Sequence, residues 1–218
     1  MTPRQLLVIN PNTTASVTAL LQRHAQATAG ERVTVRTVTA RFGAPYIGDE
    51  CSYVEGAHAA LEAWRQALAE GPAPDAVLIG CFGDPGLFAL REASAVPVTG
   101  LAEGAFAQAS AIGRFAIVTG GAAWKPMLQR LAQALGFADK LVDVITVAPS
   151  GAQLAAKPDE AIALLARACR EAAALPGVDC VILGGAGLAG MAAEVQDEVR
   201  VPVLDSVVAG TRHALGLD

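Results

Sequence analysis

The residue best placed to do chemistry in this chain is Cys81, in the string DAVLIGCFGDPG at residues 75–86. A thiol that stands where an apolar run meets a glycine turn can ionise and act as a proton carrier or a nucleophile. The chain nearly repeats the string as DCVILGGAGLAG at residues 179–190, with Gly185 at the position of Cys81. We predict two equivalent loops facing one site, of which one supplies a thiol and the other only backbone groups.

The repeat continues on both sides of these strings in the same order. VPVTGLAEGAFAQA at 96–109 matches VPVLDSVVAGTRHA at 201–214, and RQLLVINPN at 4–12 has a looser counterpart in RFAIVTGGA at 114–122. Any buried strand followed by a glycine turn and a helix resembles another such unit. The shared order and spacing nevertheless favour a duplicated α/β unit.

Composition excludes several classes of protein. The 218 residues are 53% hydrophobic and carry a net charge of −5. No apolar run approaches the ~20 residues that span a bilayer, and the N-terminal run is too short for a signal peptide. A basic patch is also absent, which argues against nucleic acid. We expect a cytoplasmic protein that binds a small molecule and neither a membrane nor nucleic acid.

The hydrophobic pattern alternates strands with helices along the whole chain. Strands are predicted at 6–10, 33–38, 76–80, 96–99, 115–119, 141–147, 180–184 and 201–204. Helices are predicted after Thr13 or Thr14 and at 52–68, 85–91, 103–111, 123–135, 159–174, 188–196 and 206–215. This alternation is typical of an α/β fold with parallel sheets, whose ligand sites lie beyond the carboxyl ends of the strands.

Four predicted strand ends carry small or hydrogen-bonding residues, at 10–13, 81–84, 119–121 and 184–187. Glycine lets a ligand approach the backbone, and the free N–H groups of the following turns suit a carboxylate or an enolate. Each turn alone could be an ordinary connection, but four together, one with a cysteine, favour a site. The candidate substrate contacts are Asn10, Phe82, Gly83, Thr119, Gly120, Gly184 and Ala186.

The motifs for common cofactors are not found. GGAGLAG falls late in the chain, and Asp205 is the single acidic candidate about 20 residues further on for a dinucleotide fingerprint. A phosphate-loop motif is missing, and the cysteines lack zinc spacing with the histidines. We therefore expect no cofactor and no metal. Of the other thiols, Cys169 and Cys180 are predicted to pack in the core, and the role of Cys51 stays open.

INPNT at 9–13 and CFGDPGLFALREAS at 81–94 resemble the hydantoin racemases of the aspartate/glutamate racemase superfamily. VPVTGLAEGAF and RFAIVTGGAAWKPML resemble the same family, so the likeness covers nearly the whole chain. It implies two pseudo-symmetric domains, each a parallel-rich sheet flanked by helices, with the active site in the cleft between them. We expect residues 1–98 plus 205–218 in the first domain and 99–204 in the second. The resemblance also implies a cofactor-independent enzyme and a homo-oligomer.

In the family that this chain resembles, two cysteines flank the α-carbon of the substrate and exchange its proton on opposite faces. Cys81 matches the first cysteine, whereas Gly185 occupies the position of the second, in GGAG instead of GCAG. Asn10 and Thr119 are expected to orient polar groups of the substrate, and the amides around Gly185 and Ala186 to support an enolate oxygen. The N–H groups of the helix predicted at 85–91 are expected to lower the pKa of the Cys81 thiol.

The missing second cysteine leaves several functions open. The preferred one is a hydantoin or allantoin type racemase, acting on a hydantoin, ureide or carboxylate, with another group or water as the second proton carrier. Asp205 is a better candidate for that group than His213, and Cys180 lies too far away along its strand. The alternatives are a one-thiol decarboxylase of the arylmalonate type, an inactivated racemase variant, and a ligand-binding protein without catalysis.

Overall fold

Two four-stranded parallel sheets form the centre of the molecule in the computed structural model, which describes residues 4–148 and 151–217. The first sheet has the order β2-β1-β3-β4, with β1 at Arg4–Asn10, β2 at Val33–Thr39, β3 at Ala76–Ile79 and β4 at Val98–Gly100. The second has the order β6-β5-β7-β8, with β5 at Phe115–Gly120, β6 at Leu141–Val147, β7 at Cys180–Leu183 and β8 at Val203–Asp205. The identical strand order confirms the predicted α/β class and the duplication.

Helices connect the strands as parallel pairing requires. They are α1 Ala15–Ala29, α2 Glu50–Glu70, α3 Leu87–Ala93, α4 Leu101–Ile112, α5 Trp124–Ala134, α6 Gly151–Ala156, α7 Pro158–Ala173, α8 Met191–Val195 and α9 Ser206–Leu215. The short α6 was not predicted. The helix predicted at 188–196 is interrupted, because Gly190 has φ +90° and separates α8 from a 3-10 turn at Ala186–Leu188.

The two halves share details of hydrogen bonding as well as topology. The Asp75 carboxylate accepts from the N–H of Gln5 at 2.7 Å, next to the start of β1. In the second half, the Asp179 carboxylate accepts from the N–H of Arg114 at 2.8 Å, next to the start of β5. Each aspartate therefore joins the first strand of its half to the strand that precedes a candidate loop.

The core continues from one sheet to the other. The Phe106 ring of α4 stacks on Phe115 of β5 with 5.5 Å between ring centroids, and it meets Phe82 edge-on at 6.2 Å. Helix α9 packs against α1, β3 and β4, so the last helix lies against the first sheet. The domain bounds 1–98 plus 205–218 and 99–204 stay a prediction, and residues 1–3, 149–150 and 218 lie outside the described ranges.

Within residues 4–148 and 151–217, no helix is long and apolar enough to cross a membrane. The same ranges contain no group of three or more His, Cys, Asp or Glu side chains arranged to hold a metal ion.

Candidate active site

A narrow cavity of ≈ 60 Å³ lies between the carboxyl ends of β1 and β3 in one sheet and β5 and β7 in the other. Cys81 and Gly185 both line it, as the duplicated strings predict. The other lining residues are Asn12, Val17, Tyr46, Ile47, Gly80, Phe82, Thr119, Trp124, Gly184, Ala186 and Gly187. None of these residues carries a charge at neutral pH, so the cavity suits a small neutral molecule better than a charged one.

Cys81 is 8% exposed and stands two residues after the end of β3 at Ile79. Burial raises the pKa of this thiol above its ordinary value, and the nearby charge of Asp84 raises it further. The expectation that helix amides would lower this pKa was therefore wrong. Helix α3 begins only at Leu87, because Gly86 takes a left-handed conformation with φ +84°. Desolvation of the thiol therefore outweighs the effect of the dipole of this short helix. The resting thiol is protonated at neutral pH.

Asp84 is a buried acid in the same loop, with φ +55° and 1% exposure. Its carboxylate accepts from the N–H groups of Ala102 at 2.9 Å and Glu103 at 2.8 Å, which lie in the first turn of α4. Burial raises its pKa to about 7, although these hydrogen bonds act in the opposite direction. Sequence reasoning treated Asp84 as part of a turn, since nothing local shows that it reaches a helix 18 residues later.

The opposite loop offers backbone groups to the cavity. Gly185 has φ +148°, which L-residues rarely adopt, and its N–H donates to Ser206 Oγ at 3.2 Å. The N–H groups of Ala186 and Gly187 open the 3-10 turn and have no acceptor among the described residues. Two free N–H groups beside a cavity can support a developing negative charge on an oxygen atom.

The polar side chains of the site differ from the sequence prediction in one position. Asn10 does not line the cavity, because its amide nitrogen lies 3.0 Å from Asn12 Oδ1, 3.0 Å from Thr18 Oγ1 and 3.2 Å from the Thr14 carbonyl oxygen. Asn12 lines the cavity instead, and its side-chain N–H groups meet no acceptor among the described residues. Asn10 therefore positions Asn12.

Thr119 occupies the place in β5 that Asn10 occupies in β1. The N–H of Gly80 donates to the carbonyl oxygen of Ile9, which precedes Asn10, and the N–H of Gly184 donates in the same way to Val118, which precedes Thr119. Thr119 is 4% exposed and lines the cavity. Its hydroxyl makes no hydrogen bond to any described residue, which leaves it free for a ligand.

Aromatic rings hold the two loops together. A Cβ on Gly184 would overlap the Phe82 ring, and a Cβ on Gly83 would overlap the Trp124 ring. The Tyr53 hydroxyl donates to the Gly83 carbonyl oxygen at 2.9 Å, so Gly83 is fixed by both neighbours. Of the predicted contacts, Phe82 and Gly184 line the cavity, whereas Gly83 and Gly120 lie outside its lining.

Four side chains of the cavity wall were missed by sequence reasoning, namely Val17, Tyr46, Ile47 and Trp124. Tyr46 and Ile47 come from the connection between β2 and α2, which has no periodic pattern to reveal its position. Trp124 follows the Thr119-Gly120-Gly121 strand end. A large ring next to a glycine loop at a candidate site was the sequence feature that could have identified it as part of the cavity wall.

A family model of Asp/Glu/hydantoin racemases matches residues 6–214. The chain belongs to this family. A hydantoin racemase of Pseudomonas sp. (strain NS671) is 32% identical over 214 residues, which are 96% of this chain and 84% of that protein. The structure of an allantoin racemase from Klebsiella pneumoniae is similar with a TM-score of 0.91 and 30% identity, over 98% of this chain and 87% of that one. An allantoin racemase from Pseudomonas fluorescens gives a TM-score of 0.92 at 26% identity, over 98% and 90%.

Family membership makes this chain an enzyme of the racemase type. A racemase must move protons on both faces of the substrate, and the side chains considered for the second face do not line the cavity. Asp205 accepts from the N–H groups of Val207 and Val208 and so caps α9, and it also accepts from Gly190 at 2.6 Å. Cys180 points its sulfur toward the Ala109 carbonyl oxygen at 3.7 Å.

Proposed function

We propose that this enzyme moves a proton at the α-carbon of a small cyclic ureide of the hydantoin or allantoin type. The proposal is carried by one observation, that Cys81 and two residues with unpaired N–H groups, Ala186 and Gly187, line the same cavity from opposite loops. A thiol can take the α-proton while the N–H groups stabilise the enolate oxygen that forms. The uncharged, narrow cavity supports a compact neutral ring as the substrate.

Other contacts follow from the geometry of the cavity. Asn12 and Thr119 have free hydrogen-bonding groups that suit the ring amides of a ureide. Phe82 and Gly184 shape the wall, and Asn10 acts through Asn12. On the face opposite Cys81, Gly185 leaves room for water as the second proton carrier.

A homo-oligomer and action in the cytoplasm belong to the same proposal. The family likeness supports the homo-oligomer, and the hydrophobic pattern of the sequence supports the cytoplasm. Light scattering tests the first and cell fractionation the second.

Deuterium exchange on the separate enantiomers of a hydantoin panel tests the proposed function. In D₂O, the enantiomer whose α-hydrogen faces Cys81 should take up deuterium faster than it inverts, because a single thiol returns protons to the face it came from. The opposite enantiomer should exchange more slowly, at about its rate of inversion, because water rather than a thiol exchanges protons on that face. The Cys51→Ser, Cys81→Ser double variant gives the background rate. Equal exchange into both enantiomers, at the rate of inversion, would reveal a second side-chain base. No exchange into either would contradict the proposal.

A second function is favoured by the backbone of Gly185. Because φ is +148° there, the loop is built around glycine rather than around a second thiol. Decarboxylation of an arylmalonate needs a proton on one face only, which Cys81 alone could return to an enediolate held by Ala186 and Gly187. Release of CO₂ from a phenylmalonate, lost on Cys81→Ser, would establish this activity, and its absence would dismiss it.

A further inference from the structure

The two halves place a carboxylate at equivalent helix starts but take it from different parts of the chain. In the second half, Asp205 at the end of β8 caps α9 with its own side chain. The equivalent residue at the end of β4 is Gly100, and a Cβ on Gly100 would overlap the carboxylate of Asp84. The acid that serves α4 therefore comes from the loop of Cys81 rather than from the strand.

Capping alone does not require this arrangement. The residue that corresponds to Asp84 in the second half is Leu188, which lies in the apolar core, and α9 is capped without it. An aspartate at position 100 could serve α4 in the same way that Asp205 serves α9. The half that contains the thiol therefore differs from the other half, because the carboxylate at its helix start comes from the thiol loop rather than from the end of a strand.

The relocated carboxylate is coupled to Cys81 by geometry. The N–H of Asp84 donates to the Cys81 carbonyl oxygen at 3.1 Å, so the two residues share one tight turn. The side chain of Asp84 is held by α4, a helix outside that turn. The position of the thiol therefore depends on an anchor to α4.

We propose that Asp84 is the positioning residue of Cys81. Asp84 fixes the thiol loop on α4, and its charge determines how readily the nearby thiol ionises. The proposal rests on the proposed role of Cys81 as proton carrier. When Asp84 is protonated the thiol faces no negative neighbour in its loop, and when Asp84 is ionised the thiolate is disfavoured. The pKa of Asp84, about 7, supports a change between these states near neutral pH.

The other charged groups around Asp84 are few. Tyr53 of α2 faces both Cys81 and Asp84, and burial raises the pKa of its hydroxyl, so it is neutral at working pH. Glu103 of α4 lies near Asp84 and is paired with Arg91 of α3. Further out, Glu50 and Arg130 form a surface ion pair beside Tyr53. Asp84 is the charge that bears most directly on the thiol.

Alkylation of Cys81 by iodoacetamide, followed peptide by peptide by mass spectrometry from pH 6 to pH 10, tests the proposal. Asp84→Asn keeps the shape of the side chain and removes its charge, so Cys81 should react about tenfold faster at pH 8.5, and its profile should move to lower pH. The exposed Cys51 is the internal reference and should not change. Asp205→Asn is the matched control, because it weakens the equivalent cap without approaching the thiol.

A lower melting temperature for both variants with an unchanged Cys81 profile in Asp84→Asn would reduce Asp84 to a structural cap and overturn the proposal. Should Asp84→Asn fail to fold, the wild-type profile decides. The logarithm of its Cys81 rate should rise with pH, flatten near pH 7 as Asp84 ionises, and rise again. A straight line through pH 7 would also overturn the proposal. Because alkylation needs no substrate, its result is independent of whether the enzyme exchanges protons on hydantoins.

Discussion

The loop after β3 and the loop after β7 hold the same place in the two halves but have different chemistry. Gly86 and Gly190 take the same left-handed conformation, with φ of +84° and +90°, and each directly precedes a short helix. At the cavity, however, Cys81 has an ordinary backbone conformation whereas Gly185 has φ +148°. One loop is built around a side chain that carries protons, and the other around a backbone that presents N–H groups.

This difference shows how a duplicated fold can divide the work of a reaction between its halves. Both loops begin at the carboxyl end of a central strand, where parallel sheets gather their ligand groups. Symmetry of the backbone does not impose symmetry of the chemistry, because one residue in each loop decides what faces the cavity.

Replacing Cys81 should have the largest effect. Cys81→Ser keeps a polar atom of similar size but a far less acidic one, so isotope exchange should fall by about 10²–10⁴-fold. Circular dichroism and the melting temperature should stay near those of the wild type. Cys51→Ser, which alters an exposed thiol, should retain full exchange. Comparable exchange in both variants would remove Cys81 from the mechanism.

A second thiol at Gly185 would make the two loops chemically alike. The added Cβ would lie 3.2 Å from Leu188 Cγ in a strained backbone conformation, so Gly185→Cys should cost about 1–3 kcal/mol of stability. In the folded protein the new thiol should speed exchange into the enantiomer that the wild type labels slowly.

Gly185→Ala is the matched control for that variant, since it adds the same Cβ without a thiol. It should share the loss of stability and show no gain in exchange. If Gly185→Cys labels the second enantiomer no faster than Gly185→Ala, then position 185 does not face the α-carbon.

Asp84 should make stability depend on pH. Its pKa in the folded protein, about 7, is above its ordinary value of 3.8, so the folded state holds this proton more tightly than the unfolded state. The protonated carboxyl therefore stabilises the folded state fully below about pH 4, and this stabilisation, on the order of 4 kcal/mol, is lost as the pH rises to about 7. Urea unfolding of wild type and Asp84→Asn should show a free-energy difference that changes between pH 4 and pH 7 and is constant above. A constant difference throughout would contradict the raised pKa.

Contact between the loops can be disturbed at Gly184. Because a Cβ there would overlap the Phe82 ring, Gly184→Ala should cost about 1–3 kcal/mol and reduce exchange by moving the loops apart. Gly136→Ala is a useful comparison, since its Cβ would meet nothing within 4 Å and only its φ of +81° opposes the change. Exchange should survive Gly136→Ala, and an equal loss of exchange in both variants would argue against a specific role of the contact.

The smallest effect is expected from a thiol remote from both loops. Cys169 is fully buried in the core between α7 and the second sheet. Cys169→Ala should lower the free energy of unfolding by about 1 kcal/mol through lost packing, with isotope exchange unchanged. Loss of exchange without loss of stability would show that the site extends further than the cavity.

The fold and the central pair of the site could be predicted from local patterns. Apolar runs that alternate with amphipathic stretches specify parallel βα units, and the repeated strings place Cys81 and Gly185 at equivalent strand ends. Helix limits were less well predicted where glycine conformations intervene, as at Gly86 and Gly190. The pattern also identified Thr119, because its place at a strand end is a local property.

Only the tertiary structure decided which neighbours these residues have. Asn12 rather than Asn10 faces the cavity because the Asn10 amide is held by groups on α1 and its connection. Tyr46, Ile47 and Trp124 reach the site from elements whose direction depends on packing. The pKa of Cys81 is raised rather than lowered because burial and the Asp84 carboxylate act on it. The burial comes from packing of distant segments, and the Asp84 carboxylate, although only three residues away, is held buried by α4. Strand and turn patterns depend on neighbouring residues, whereas burial and charge depend on what the folded chain brings near.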